Sequence, residues 1–200
     1  MKVGVLVSGN GTNLQALIDA QARGDLSPGE IAVVISNNPM APALARAIAA
    51  KLPAVAVDHR GLERQVFEER VLASLDAHGV EAVVLAGFMR VLTPHFIERY
   101  PLRIVNTHPS LLPAFPGKDA IAQALAHGAK ITGVTIHFVD TSLDGGPIIA
   151  QESVPIVEDD DAATIQGRVQ HLEHRMLPVV VRRLAAGKLS CQGRIVRRAE

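Results

Sequence analysis

The chain is short of cysteine, of aromatic side chains and of net charge. One cysteine, Cys191, among 200 residues excludes an internal disulfide and a cysteine-rich zinc site, and this fits a reducing compartment. Five Phe, one Tyr and no Trp leave little on which single-stranded bases could stack. Twenty Lys and Arg balance twenty Asp and Glu, so the broad positive surface that attracts a polyanion is not expected. No apolar run reaches the ~20 residues of a membrane span, and the apolar stretch in residues 1–11, broken by Gly4 and Ser8, is too short for a signal peptide's core. These absences predict a cytoplasmic protein whose partners are small molecules, with neither nucleic acid nor membrane among them. What is present is an ordinary globular balance of 48% hydrophobic and 20% charged residues. At roughly 150 residues per domain, a single domain over 1–200 is expected.

Short β-branched runs at 2–7, 31–36, 54–58, 82–86 and 103–107 alternate with helical patterns at 13–23, 43–51, 62–77 and 94–99. That alternation predicts an α/β fold: an open, mostly parallel twisted sheet with helices on both faces. Thr93 before Pro94 marks a helix start, because a proline at the first helical position gives up a donor that would lack a partner anyway. Residues 108–117 carry three prolines and read as an irregular loop, followed by a helix at 118–127. Runs at 131–139 and 148–157 extend the sheet as an antiparallel pair near the carboxyl end. The acidic run 158–161 suits the positive end of a long helix reaching about residue 186. The tail from Leu189, with Arg194, Arg197 and Arg198, is expected to fray or lie across the surface.

Three constellations could carry chemistry. Residues 8–13, Ser-Gly-Asn-Gly-Thr-Asn, lie between the first strand and the first helix, where glycines permit close backbone approach and free helix amides favour a phosphate. Leu14 replaces the third glycine of a dinucleotide fingerprint, and no lysine completes a P-loop, so neither NAD nor ATP is expected. Asn106 and His108 stand two apart at a strand's carboxyl end, so both face one space, in the region where open α/β sheets place ligands. An amide donor beside an imidazole can hold a developing oxyanion while the ring moves protons. Asp144 lies in a glycine-rich loop, and near His108 it would favour the imidazolium and orient the ring, although spacing alone does not establish that proximity. His171 and His174 lack a zincin spacing and a third ligand, so no metal is expected. No nucleophile elbow is present and Cys191 lies in a polar tail, which favours a non-covalent transfer.

Taken together, SGNGTNLQALIDA at 8–20, VVLAGFMRVL at 83–92, NTHPSLLPAFPG at 106–117, GVTIHFVD and LDGGPII within 133–149, and RVQHLEH at 168–174 closely resemble the phosphoribosylglycinamide formyltransferases, folate-dependent enzymes of purine biosynthesis. The resemblance covers nearly the whole chain and implies a Rossmann-like formyltransferase fold. It implies a catalytic trio of Asn106, His108 and Asp144, with His108 as general acid and Asp144 relaying protons. Gly11, Thr12 and Asn13 would hold the phosphate of phosphoribosylglycinamide, with Gln170 and Glu173 completing that site. Met89, Arg90, Val91 and Leu92, Asn106, the segment Asp140, Thr141, Ser142, Leu143 and Asp144, and Arg64 nearer the mouth would line the folate cleft. The donor implied is 10-formyltetrahydrofolate, used without metal or ATP. Lys118 and Asp119 receive no substrate role.

Two related folate enzymes fit less well. Methionyl-tRNA formyltransferases carry an arginine-containing loop where this chain has Ala114-Phe115-Pro116-Gly117, and a basic carboxyl-terminal domain for which 200 residues leave no room. Formyltetrahydrofolate deformylases have an extra amino-terminal regulatory domain, whereas this chain opens on its first strand. A non-catalytic phosphosugar-binding module would account for the phosphate loop but not for Asn106, His108 and Asp144 together. The sequence leaves open whether the protein is a monomer or a homodimer.

Overall fold

A computed structural model of the chain describes residues 1–199. The elements are β1 (Lys2–Val7), α1 (Thr12–Ala22), β2 (Glu30–Ser36), α2 (Pro42–Ala49), β3 (Ala54–Ala56), α3 (Arg64–Ala77), β4 (Ala82–Leu85), α4 (Pro94–Arg99), β5 (Ile104–His108), α5 (Ala120–Ala126), β6 (Ile131–Phe138), β7 (Ile148–Pro155), α6 (Ala162–Ala185), β8 (Leu189–Gln192) and β9 (Ile195–Arg198). Seven strands form one sheet in the order β3-β2-β1-β4-β5-β6-β7. The first five are parallel, and β6 and β7 continue as antiparallel neighbours.

Alternation along the central strands explains the two helical layers. Val3, Val5 and Val7 face one way and pack with Leu14 and Leu17 of α1, Ala43 and Ala47 of α2, and Ile165, Val169 and Leu177 of α6. Leu6 faces the opposite side, where Val33, Val83 and Ile104 pack with Phe67, Val71 and Leu75 of α3 and Phe96 of α4. The central strands β1 and β4 are therefore buried on both faces, which is why they read as continuous apolar stretches.

The helix ends follow local chemistry. Thr93 caps α4 by accepting from the Phe96 N–H, and Asp161 caps α6 by accepting from the Thr164 N–H at 2.8 Å. No helix among the described residues is long and apolar enough to cross a membrane.

Two expectations need correction. The tail does not fray: β8 and β9 pair as an antiparallel hairpin, and Arg194 at its turn donates to the Gly145 carbonyl at 2.6 Å. The helix expected at 118–127 is shorter, because Asp119 takes a left-handed conformation (φ 57°) that cannot continue a helix backwards, and α5 opens only at Ala120.

Candidate active site

The strand order reverses between β1 and β4, and the carboxyl ends of β1, β4 and β5 open there into a cleft. Its cavity is about 540 Å³ and is walled by Leu85 of β4 and residues 87–92 after it, residues 106–109 of β5 and its loop, residues 117–119, and residues 137, 139, 140 and 142–144. Of the expected folate-cleft residues, Met89, Arg90, Val91, Leu92, Asn106, Asp140, Ser142, Leu143 and Asp144 line it. Thr141 lies outside the lining and is exposed. Arg64 also lies outside it, donating from behind to the Val91 carbonyl.

That wall is pinned along its length. The Met89 N–H donates to the Ser8 hydroxyl at 2.8 Å, and Ser8 in turn donates to the Asn37 side chain at 2.6 Å. The Arg90 guanidinium sits 5.3 Å above the Phe67 ring. The Thr93 N–H donates to Glu68, a carboxylate only 2% exposed, at 2.9 Å. A buried carboxylate with its oxygens engaged anchors the segment more firmly than surface contacts could.

Asn106 and His108 both line the cleft, as their spacing of two along β5 predicts, and the loop after β6 brings Asp144 to His108, which spacing could not predict. His108 Nε2 donates to the Phe115 carbonyl at 2.9 Å, and its Nδ1 faces Asp144 Oδ2 at 3.4 Å. A carbonyl can only accept, so the Phe115 contact selects the Nε2–H form of the ring. A second proton, on Nδ1, then converts the Asp144 contact from two facing acceptors into an ion pair. Asp144 is itself held by the Gly117 N–H, which donates to Oδ2 at 2.8 Å. Its loop needs glycine at 146, because a Cβ there would lie 1.8 Å from the Phe138 carbonyl oxygen.

His137 is the residue that the sequence reading passed over. In the antiparallel pairing of β5 with β6 it stands directly across from Asn106, and the Asn106 Nδ2 lies 3.1 Å from His137 Nε2. His137 Nδ1 donates to the Phe138 carbonyl at 2.8 Å. Burial lowers the His137 pKa, more strongly than the Phe138 bond and the Asp144 charge raise it. A neutral ring with its proton on Nδ1 offers Nε2 as acceptor, so one Asn106 N–H is fixed and the other is left for the cleft. Polar Thr135 and His137 alternating within an apolar strand were the available signal.

The loop 108–117 is braced rather than loose. Ser110 Oγ donates to the Ala114 carbonyl at 2.6 Å, and Thr135 Oγ1 donates to the Ser110 carbonyl at 2.7 Å while accepting from the Leu112 N–H at 3.0 Å. Lys118 and Asp119, given no role from sequence, stand in the cleft wall.

On the other side of β5, Thr107 donates to Glu173 Oε1 at 3.0 Å, and the Asn13 side chain also donates to Glu173. This carboxyl links the loop at the end of β1 to the catalytic strand. Burial pushes its pKa up, outweighing the bonds from Thr107 and Asn13. Asn13 Oδ1 is buried with no partner among the described residues. Gln170 lies on α6 three residues before Glu173 and so shares its face. Gly11 precedes α1 in the left-handed region (φ 72°), and α1 has no side-chain cap and no acid in its first turn. Among the described residues, no group of three or more His, Cys, Asp or Glu is placed to hold a metal ion.

Three comparisons bear on this arrangement. The formyl transferase family matches residues 1–181. The phosphoribosylglycinamide formyltransferase of Bacillus subtilis is 39% identical over 184 residues, covering 92% of this chain and 94% of that protein. The crystal structure of glycinamide ribonucleotide transformylase 1 from Symbiobacterium toebii superposes with a TM-score of 0.97 at 44% identity, covering all of this chain and 94% of its own. A formyltetrahydrofolate deformylase from Pseudomonas syringae superposes with a TM-score of 0.93 at 25% identity, covering all of this chain but 66% of its own.

Proposed function

Since the chain belongs to the formyl transferase family, we propose that it transfers the formyl group of 10-formyltetrahydrofolate to the amine of phosphoribosylglycinamide, a step of purine biosynthesis. The observation that carries this reading is the convergence of Asn106, His108 and Asp144 in one cleft, with the His108–Asp144 contact at 3.4 Å. The cleft's volume falls within the roughly 300–1,000 Å³ of small-molecule sites, and its apolar walls of Phe88, Met89, Val91, Leu92 and Leu143 suit the ring faces of a folate. The loop of Gly11, Thr12 and Asn13 offers uncapped helix amides to the phosphate. Glu173, with Gln170 beside it, offers acceptors to the ribose hydroxyls.

In this reading the amine attacks the formyl carbon directly and gives a tetrahedral intermediate. The Asn106 N–H not engaged by His137 and the His108 imidazolium stabilise its oxyanion. Asp144, acting through a water, carries a proton from the attacking nitrogen to the folate nitrogen that leaves. Nothing covalent forms on the protein in this reading.

The test is a single assay with purified protein, 10-formyltetrahydrofolate and phosphoribosylglycinamide, following release of deformylated folate. Methionyl-tRNA, whose free α-amine can take the formyl group, replaces the acceptor in a second arm, and no acceptor is added in a third. Turnover confined to the first arm supports the proposal. Equal turnover without acceptor assigns hydrolysis instead, and turnover only with methionyl-tRNA assigns the other transferase.

A further inference from the structure

We infer that Arg46, on α2, is a positioning residue for the phosphate loop: it fixes the loop's backbone and supplies the positive charge that an incoming phosphate neutralises. The inference rests on the proposed role of Gly11, Thr12 and Asn13. It is carried by contacts that lie outside those three residues. Arg46 Nε donates to the Asn10 carbonyl at 2.8 Å, and Nη1 donates to Gln15 Oε1 at 3.1 Å. The Gln15 amide is oriented from its other end, since its Nε2 donates to Asp19 Oδ1 at 2.8 Å. A carboxylate only accepts, so Asp19 takes the amide's N–H and turns its oxygen toward Arg46. One guanidinium thus bridges the loop before α1 and the first turn of α1 itself.

The backbone is pressed into this position from below. A Cβ on Gly11 would lie 2.6 Å from the Ala43 Cβ and 2.9 Å from the Ala43 Cα, and the Ala43 N–H donates to the Gly9 carbonyl at 3.2 Å. Gly11 therefore lets α2 close against the loop, and Arg46, one turn beyond Ala43, reaches across it.

The electrostatics are the stronger part of the case. A cation beside a helix N-terminus opposes the helix dipole, and such charges normally sit at the other end. Arg46 lies in the last turn of α2, where its charge suits that helix's dipole, yet its guanidinium faces the start of α1, and among the described residues no carboxylate lies within ion-pair distance of it. Arg23, which lines the same shallow groove as Thr12, Gln15, Asp19 and His174, is paired with Asp25 at 2.8 Å. A phosphate at the start of α1 meets both the uncapped amides and the field of a guanidinium that no carboxylate neutralises.

The experiment compares Arg46→Gln, Arg46→Lys and Arg23→Gln with the parent. The readouts are KM for each substrate, kcat, and the Kd of inorganic phosphate. In Arg46→Gln, KM for phosphoribosylglycinamide and Kd for phosphate should both rise about tenfold, with kcat and the folate KM unchanged. Arg46→Lys keeps the charge but cannot bridge both acceptors, so its rise should be smaller. Arg23→Gln removes the same charge from the same groove and should change nothing. Unchanged phosphate affinity in Arg46→Gln overturns the inference, as does an equal rise in Arg23→Gln, which would reduce the effect to net charge. Thr12→Asp separates the two levels of argument. If it abolishes phosphate binding while Arg46→Gln does not, only the role of Arg46 fails; if neither matters, the loop reading itself fails.

Discussion

Replacing Asp144 by asparagine isolates the charge that the mechanism requires. Asparagine keeps an oxygen to accept the Gly117 N–H and tolerates the positive φ of 50° at this position, so the loop should hold its shape. What disappears is a carboxylate 3.4 Å from His108 Nδ1. At that distance a unit charge pair is worth about 1 kcal/mol at the dielectric of water and about 5 kcal/mol at an effective dielectric of 20. The side chains are 6% and 13% exposed, so the pair sits nearer the protein limit. After discounting for residual solvent, about 3 kcal/mol is a working value for the charge contact that the variant loses. General acid–base catalysis contributes about 10²–10⁴ in rate, so kcat should fall by about that range once the relay is lost. KM for both substrates should change by less than about threefold, because neither the phosphate nor the bulk of the pterin rests on this carboxylate. Steady-state kinetics with both substrates varied reads the split. A kcat within about fivefold of the parent, in a folded variant, would refute the coupling even if formyl transfer itself stands.

Thr12→Asp or Asn13→Asp places a carboxylate at the start of α1, where the first turn carries none; KM for phosphoribosylglycinamide should rise at least tenfold (about 1.4 kcal/mol) while the folate KM stays put, as bisubstrate kinetics would read. Glu173 binds its proton more tightly folded than unfolded, so the stability it contributes is full below its ordinary value of 4.5 and is lost as pH rises through the higher folded value. Glu173→Gln should therefore flatten the loss of stability from about pH 4.5 toward neutrality in urea titrations, leaving the variant at least as stable as the parent at pH 7, and an unchanged pH dependence would count against a strained carboxylate there. Exhaustive chelation and omission of ATP should leave turnover unchanged; activity lost on chelation and restored by a metal would overturn the metal-free reading.

Much of the fold was legible because its signals are local. Valines at 3, 5 and 7 alternating with Leu6, Pro94 after Thr93 and the acids before α6 each act within a few residues. The carboxyl-terminal hairpin was not legible, since Leu189–Gln192 and Ile195–Arg198 bury little along their length and owe their position to contacts such as that of Arg194 with Gly145. The late start of α5 was not legible for a related reason: Asp is one of several residue types that accept a left-handed conformation, and only the folded loop shows that Asp119 adopts it.

The site divides along the same line. Asn106 and His108 could be placed together because a strand's period of two is a property of the chain itself. Their chemical states could not, because each is set from another strand or loop. The proton on His108 Nε2 is selected by the carbonyl of Phe115, and the one on His137 Nδ1 by the carbonyl of Phe138. Neither carbonyl depends on the identity of its residue. A backbone oxygen thus decides which ring nitrogen of His108 meets Asp144, and a second one decides which ring nitrogen of His137 orients the Asn106 amide. Residue types name the groups able to move a proton here, but the direction of its movement is written in main-chain geometry, which only the folded sheet and the braced loop 108–117 supply.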